Sequence, residues 1–188
     1  MELDKCLEVI QKSIDGFRDS NLESILQKLE NHRIKIDDDF SNFTVEGIKD
    51  NSWGVYTFYI NPKKPVIEFK DFNRLWETNS MNKKLVSPKA IKTRYRPLIK
   101  DKSYCLYLGK SENLIKRIEQ HIHQKTKPST YGLKLSEHDR LHLNNTFEFS
   151  YFVIKENPQK INEEALKYML IALEKKLRVE LSPLVGKQ

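Results

Sequence analysis

Side chains that suit an anionic substrate are concentrated in residues 104–124, where a short apolar run precedes an amphipathic one. Tyr107, Lys110, Arg117 and His121 all fall in this stretch. Arg117 and His121 are four positions apart, so on a helix their side chains would lie close together. Arginine binds phosphate through paired hydrogen bonds, and histidine transfers protons near neutral pH. The segment therefore predicts a site for a substrate such as a phosphodiester.

Two tripeptides on strand-like runs connect this segment to a known family. Gly54–Tyr56 lies in the run WGVYTFYI, and Tyr107–Gly109 ends the run YCLYLG. They resemble the two signatures of the GIY-YIG nucleases, and Arg117 and His121 follow the second signature as the family's arginine and histidine do. Glu174 matches the family's metal-binding glutamate on a later helix. One tripeptide is weak evidence, but the ordered set is a strong joint signal.

The resemblance implies a role for each charged residue of the set. Glu174 would bind Mg²⁺, with Mn²⁺ as a substitute, because one carboxylate plus waters is a normal environment for a strongly hydrated ion. Arg117 would hold the scissile phosphate, and His121 would transfer a proton or assist a tyrosine. The alternative for Glu174 is an exposed helical glutamate paired with Lys175 or Arg178.

The two signature tyrosines are assigned by the same resemblance. Tyr56 would act as general base and Tyr107 would position water or phosphate. A phenol with a pKa of about 10 is a poor base unless a cation or metal-bound water lowers that pKa. Lys110 would contact phosphate or support a tyrosinate, and Gly109 would let the backbone turn tightly beside the substrate. The alternative for each tyrosine is a strand residue packed in the core.

The chain departs from the family pattern at two places. Residues 61–103 separate two signatures that a short turn joins in compact family members. Gly186 stands where the family often has an asparagine, and glycine cannot supply an amide side chain. The second departure motivates an alternative in which the fold binds nucleic acid without cutting it.

The charge of the chain is unevenly distributed. The formal net charge is +7, but residues 1–52 carry 7 Lys/Arg against 12 Asp/Glu, a net −5. Residues 61–102 carry 12 against 4, a net +8, which is the electrostatic pattern of a polyanion-binding segment. The alternative is a solvated basic loop. The residues predicted to bind DNA are Lys83, Lys84, Lys89, Lys92, Arg94 and Arg96.

The hydrophobic pattern predicts an α/β (α+β) fold. Trp53–Ile60, Tyr104–Leu108 and Phe147–Ile154 are rich in aromatic and β-branched residues and are predicted strands. Ser111 and Asn162 are predicted N-caps of the two helices that carry the candidate site. The expected core is a small antiparallel sheet of about three strands flanked by helices, as the family resemblance also implies.

The N-terminal part is predicted to be a helical extension. Apolar residues recur at helical spacing through residues 2–30, with a break near 19–21 that predicts two helices. These helices would pack on the domain, although docking of a partner remains an alternative. The predicted domains are the extension, 1–50, and a nuclease domain, 51–188, with a basic insertion at 61–103.

The other histidines and the cysteines are weaker candidates for metal ligands. His138 and His142 are four apart in EHDRLH, but without a third ligand they predict a polar surface helix. Cys6 and Cys105 lack metal-site spacing, and Cys105 in an apolar strand predicts a reduced core thiol. No run is apolar enough to span a membrane, so a cytoplasmic protein is expected.

Together these features predict a metal-dependent DNA endonuclease, of restriction or defence type. A homodimer is expected if both strands of a duplex are cut, because one site cuts one strand. The alternatives are a catalytically weak or inactive nucleic-acid-binding module, and a subunit that docks a partner through its acidic N-terminal helices.

Overall fold

A computed structural model of the chain describes residues 2–37, 40, 48–78, 88–123, 132–155 and 162–186. The helices in this part of the chain are α1 (Glu2–Asn31), α2 (Phe69–Glu77), α3 (Leu114–His123), α4 (Asp139–Leu143) and α5 (Glu163–Leu181). The strands are β1 (Ile34–Ile36), β2 (Trp53–Pro62), β3 (Tyr104–Ser111) and β4 (Asn145–Lys155). Short 3₁₀ turns occupy Lys92–Arg94 and Leu135–Glu137.

The strands form one antiparallel sheet in the order β1-β4-β2-β3. The predicted antiparallel sheet flanked by helices is therefore confirmed, with one strand more than the three expected. The additional strand, β1, is only three residues long and pairs Ile34 with Phe149 at the edge of the sheet. A strand this short has too little alternation to be recognised without its partner.

The sheet separates two hydrophobic cores. Successive residues of a strand point to opposite faces, and in β2 Tyr56 and Phe58 enter one core while Trp53 and Val55 enter the other. The first core also contains the buried residues of α2 and α3, and the second contains those of α1 and α5. Because β2 is buried on both faces, it fixes the position of the first signature tyrosine.

The N-terminal segment is one helix of 30 residues, so the prediction of two helices with a break near 19–21 is wrong. Residues such as Asp, Ser and Asn lower helix propensity by less than about 1 kcal/mol each, which packing of the following turns can offset. Ile25 and Leu29 are buried against α5 and the sheet, as the packing prediction requires. No helix among the described residues, α1 included, is long and apolar enough to cross a membrane.

The described part of the basic insertion is folded into the domain. Phe72, Trp76 and Leu98 are fully buried in the first core. The backbones of Val66 and Leu98 pair, with N–H to O distances of 2.9 and 2.8 Å. These side chains and backbone bonds give the segment a defined position, so its basic residues have fixed neighbours.

The C-terminal segment ties the insertion to β3. The backbone N–H of Leu184 donates to the carbonyl of Cys105, and the N–H of Ile91 donates to the carbonyl of Leu184. Two residues after Leu184, the N–H of Gly186 donates to the carbonyl of Lys89 at 3.0 Å. Residues 89–91 are thus held near β3 through the C-terminal segment. Cys105 itself is a buried free thiol, as predicted.

The helix caps agree with the sequence at one helix and differ at the other. The side chain of Asn162 accepts hydrogen bonds from the first turn of α5, as predicted. At α3, however, the side-chain oxygen of Asn113 accepts from the backbone N–H of Lys116, so Asn113 is the cap. Ser111 instead bonds with the backbone of Asn113 within the preceding turn. Ser111 lies too far before the helix because β3 continues through it.

Candidate active site

The signature glycines make room for close contacts between strands. Gly109 lies opposite Tyr56 in the sheet, and a Cβ at this glycine would be 2.4 Å from the Tyr56 hydroxyl oxygen. A Cβ at Gly54 would be 2.1 Å from the carbonyl oxygen of Phe152. The predicted tight turn at Gly109 is therefore wrong, because this residue lies within β3. Glycine is needed at position 109 because the Tyr56 ring occupies the space that a side chain would fill.

A chain of hydrogen bonds extends from Tyr56 into the core. The Tyr56 hydroxyl oxygen lies 2.8 Å from Nε2 of His121, and the backbone N–H of Leu133 donates to Nδ1 of His121 at 2.9 Å. The carbonyl of Leu133 lies 2.9 Å from Nε2 of His138. His138 is buried and stacked on Trp76, with ring centroids 4.3 Å apart, so its predicted surface position is wrong. The insertion that carries Trp76 covers this histidine.

These bonds determine where the proton of His121 sits. Since Nδ1 accepts from Leu133, the neutral ring carries its hydrogen on Nε2, and that hydrogen is donated to the Tyr56 oxygen. Burial lowers the pKa of His121 well below its usual value, and the charge of Arg117 lowers it further. His121 is therefore a neutral donor to Tyr56 near neutral pH.

The two tyrosines differ in their hydrogen-bond roles. Burial raises the pKa of Tyr56 well above its usual value and the neighbouring Tyr107 adds to this, while Arg117 lowers it. Burial also raises the pKa of Tyr107, but Arg117 lowers it, Glu174 raises it, and hydrogen bonds with Tyr56 and Arg117 lower it. The hydrogen bond between the two tyrosines raises the pKa of Tyr56 and lowers that of Tyr107, so Tyr56 is its donor.

Glu174 reaches the same site from α5. Its Oε1 accepts a hydrogen bond of 2.6 Å from Nη2 of Arg178, four residues further along the helix. The exposed fractions of the two side chains, 17% for Glu174 and 24% for Arg178, show that this ion pair is largely covered. The predicted pairing with Arg178 and the predicted position in the site are thus both present, because the pair itself lines the cleft.

The predicted catalytic residues meet in one cleft of about 1060 Å³ at the β3 edge of the sheet. Tyr56, Tyr107, Lys110, Arg117 and Glu174 all line it. His121 lies behind Tyr56 and is fully buried, so it reaches the cleft only through that tyrosine. One concave site that contains bases, acids and cations is the arrangement expected of an active site.

The predicted DNA-binding residues are divided by the structure. Lys89 and Arg94 line the cleft beside the candidate catalytic residues. Lys92 and Arg96 are exposed outside its lining, and the Arg96 guanidinium lies 5.4 Å from the centre of the Tyr104 ring. The remaining two, Lys83 and Lys84, lie outside the described residues.

Gly186, where the family often has asparagine, also lines the cleft. Its φ angle is +141°, a conformation that residues with side chains rarely adopt. A Cβ here would meet the Tyr107 ring at an ordinary contact distance of 3.8 Å. The backbone therefore selects glycine by conformation and not by lack of space. Lys187 and Gln188, which follow Gly186, lie outside the described residues.

Comparison with known protein families agrees with this geometry. Residues 54–136 match the family model described as the GIY-YIG catalytic domain. Residues 54–136 are therefore similar to GIY-YIG catalytic domains. The match includes both signature tyrosines, Arg117 and His121, and it ends before Glu174. Searches of the curated proteins and of the solved structures find no match to this chain.

The matched segment and α5 together offer a suitable site for a hydrated divalent cation. GIY-YIG nucleases generally depend on a divalent metal. Glu174 is the only carboxylate among the residues that line the cleft, and no group of three or more potential ligands occurs among the described residues. This donor set fits an ion such as Mg²⁺, which keeps several waters, and does not fit an ion coordinated entirely by protein.

Sequence reasoning missed two contributors to this candidate site. Arg178 was considered only as a surface partner of Glu174, although spacing of four on a helix placed it on the same face. The backbone of Leu133 fixes the tautomer of His121, and no sequence pattern predicts this contact. Leu133 lies in a segment that follows α3, and its position depends on contacts with His138.

Proposed function

We propose that the protein is a metal-dependent DNA endonuclease that hydrolyses phosphodiester bonds. The observation that carries the proposal is the convergence of Tyr56, Tyr107, Arg117 and Glu174 on one cleft. The GIY-YIG domain supports nuclease function in general. Catalytic activity, the metal and the assigned roles are our proposals.

Arg117 is proposed to bind the scissile phosphate. It lies in the cleft wall close enough to lower the pKa of both tyrosines, so its charge acts on the place where a phosphate would approach them. A guanidinium can hold two phosphate oxygens at once and offset charge that develops during the reaction. Lys110, in the same lining, would add a second cation.

Glu174 is proposed to hold Mg²⁺, with Mn²⁺ as a substitute. When bound, such an ion would polarise the phosphate and stabilise the leaving oxygen as a Lewis acid. Arg178 keeps the carboxylate of Glu174 oriented through their 2.6 Å hydrogen bond. The protein's own contribution is thus a charged, partly covered carboxylate at the edge of the cleft.

The hydrogen bonds favour a division of labour between the tyrosines that differs from the one implied by the resemblance. His121 donates to Tyr56, and Tyr56 together with Arg117 supports charge on Tyr107. We therefore propose Tyr107 as the tyrosine that accepts a proton, and Tyr56 as the group that positions and supports it. Both pKa values are raised by burial, so bound cations must help to ionise the phenol.

DNA is proposed as the substrate, because the nuclease domain implies it and the cleft is positively charged. Binding should weaken as salt rises, since each neutralised phosphate releases counterions. Restriction or defence use remains the proposed setting. The predicted homodimer gains no support from the described residues.

A binding module without activity is the second candidate function. Gly186 favours it, because this cleft residue supplies no side chain where the family often has an amide. Such a module would bind DNA in a salt-sensitive way, and its binding would not change in Glu174→Ala.

Cleavage of supercoiled plasmid in Mg²⁺ tests the proposed function, with wild type compared to Arg117→Ala. We expect wild type to produce nicked or linear DNA and the variant to be slower by about 10²–10³-fold, because it loses charge stabilisation at the phosphate. Lys116→Ala is the matched control, since Lys116 is exposed on the same helix. Wild-type binding without cleavage in Mg²⁺ or Mn²⁺ would contradict the proposal and favour the binding module.

A further inference from the structure

Arg94 and Arg178 bring two positive charges to one side of the cleft. Arg94 comes from the 3₁₀ turn of the insertion and Arg178 from α5, and both line the cleft. They are close enough for the charge of Arg178 to lower the pKa of Arg94, after the larger effect of burial. Like charges brought together out of water destabilise the protein unless anions offset them. Glu174 offsets the charge of Arg178, so the charge of Arg94 is the one that a bound anion would offset.

The hydrogen bonds of Arg94 are incomplete within the described structure. Its Nη1 is fully covered and makes no hydrogen bond there, although the side chain as a whole is only half-buried. A covered donor without an acceptor destabilises the folded protein. Arg178 uses Nη2 for Glu174, and a guanidinium has five N–H donors in all. The two groups therefore have unused capacity to donate to a ligand with several acceptor oxygens.

The surrounding charges specify an anion. The cleft is lined by five cationic side chains and one carboxylate, namely Lys89, Arg94, Lys110, Arg117, Arg178 and Glu174. The charge of Arg117 lowers the pKa of both tyrosines, whereas the charge of Arg178 lowers the pKa of Arg94. Arg117 is therefore the arginine beside the tyrosines, and Arg94 is beside Arg178, which is paired with Glu174.

We propose that Arg94 and Arg178 form a second phosphate-binding site, which holds a backbone phosphate next to the scissile phosphate bound by Arg117. This inference rests on the proposed function, and it assigns Arg178 and the insertion to substrate positioning. The backbone bonds between residues 89–91 and the C-terminal segment hold Arg94 in place before DNA arrives. The site is preorganised at a cost in stability, which the bound phosphate offsets.

The proposal predicts opposite effects of one substitution on stability and on binding. Arg94→Met keeps an apolar side chain of similar length but removes the charge and the donors. We expect its unfolding midpoint in urea to be higher than that of wild type without DNA. We also expect its affinity for DNA to fall about tenfold, with the slope of log K against log salt reduced by about 0.9. A merely structural arginine would instead lower the midpoint when replaced.

The experiment uses fluorescence anisotropy with a labelled random-sequence duplex in EDTA, so that cleavage does not contribute. Arg74→Met is the matched control, because Arg74 lies on the insertion but outside the cleft lining. Arg178→Gln should weaken binding as Arg94→Met does, and the double variant should lose less than the product of the two, since both side chains hold one phosphate.

The outcomes separate this site from the nuclease proposal. Unchanged affinity and salt slope in Arg94→Met would overturn the second phosphate site, even if wild type cuts plasmid. A lower urea midpoint in this variant would also overturn it. Loss of affinity with a maintained or higher midpoint, in a protein that never cuts DNA, would support the phosphate site and contradict the nuclease.

Discussion

Nε2 of His121 donates to the hydroxyl oxygen of Tyr56 at 2.8 Å, so the histidine supports the tyrosine and does not take its proton. This direction follows from the bond between the backbone N–H of Leu133 and Nδ1 of His121. The same bond leaves the Tyr56 hydrogen for another acceptor in the cleft. The sequence left open whether His121 transfers a proton or assists a tyrosine, and this hydrogen bond favours the second role.

The tautomer of His121 is directly testable. Nitrogen NMR should show hydrogen on Nε2 at neutral pH and protonation only well below pH about 6.5, because burial and Arg117 lower its pKa. The signal is assigned by its loss in His121→Gln. Titration near the usual histidine pKa, or hydrogen on Nδ1, would contradict the geometry.

The lowered pKa of His121 makes the stability of the protein depend on pH. A histidine whose pKa is lower in the folded state binds fewer protons there than in the unfolded chain, so its contribution is complete above pH about 6.5 and is lost as pH falls. His121→Gln should therefore lose less stability than wild type between about pH 7.5 and 5. Urea unfolding measures this, with His123→Gln on the same helix as the control. An identical loss in all three proteins would be inconsistent with a buried neutral His121.

Gly109→Ala should displace Tyr56 because the added Cβ would lie 2.4 Å from its hydroxyl oxygen and 2.5 Å from Cζ. We expect destabilisation of about 1–3 kcal/mol and loss of cleavage, as in other overpacked sites. Gly16→Ala is the matched control, because nothing lies within 4 Å of a Cβ there and the residue is helical. This control should be neutral or stabilising by up to about 1 kcal/mol. Full activity in Gly109→Ala would contradict the claim that cleavage requires Tyr56 at its observed position.

The sequence predicted those parts of the fold that local patterns determine. Apolar and aromatic runs gave β2, β3 and β4, and Asn162 marked the start of α5. It did not predict β1, which is a strand only because it pairs with β4. It also misplaced His138, whose burial depends on a Trp76 that is distant in the chain.

For the candidate site, the sequence predicted which residues meet but not how they interact. The signatures and the spacing of Arg117 and His121 were enough to place them at one site. Hydrogen-bond direction depends on the backbone of Leu133, and the role of Gly109 depends on cross-strand register. Both are products of pairing between distant segments, which a single sequence does not encode locally.

The insertion should be required for folding and not only for DNA binding. Leu98→Ala should lower the free energy of unfolding by about 2–5 kcal/mol, because Leu98 is fully buried in the first core. The neighbouring Ile99 is 45% exposed, and Ile99→Ala should change stability by less than about 1 kcal/mol. Urea unfolding compares the two variants. Equal small effects would favour the alternative that the sequence left open, in which the basic insertion is a solvated loop.

The most direct test of the account is cleavage of supercoiled plasmid by wild type and Glu174→Ala, each with Mg²⁺ and with EDTA, alongside DNA binding at matched salt. We predict nicking or linearisation only by wild type in Mg²⁺, with binding retained in the variant, because Glu174 is the sole carboxylate among the described residues that line the cleft. Cleavage by Glu174→Ala, or by wild type in EDTA, would contradict a metal-dependent nuclease centred on this residue.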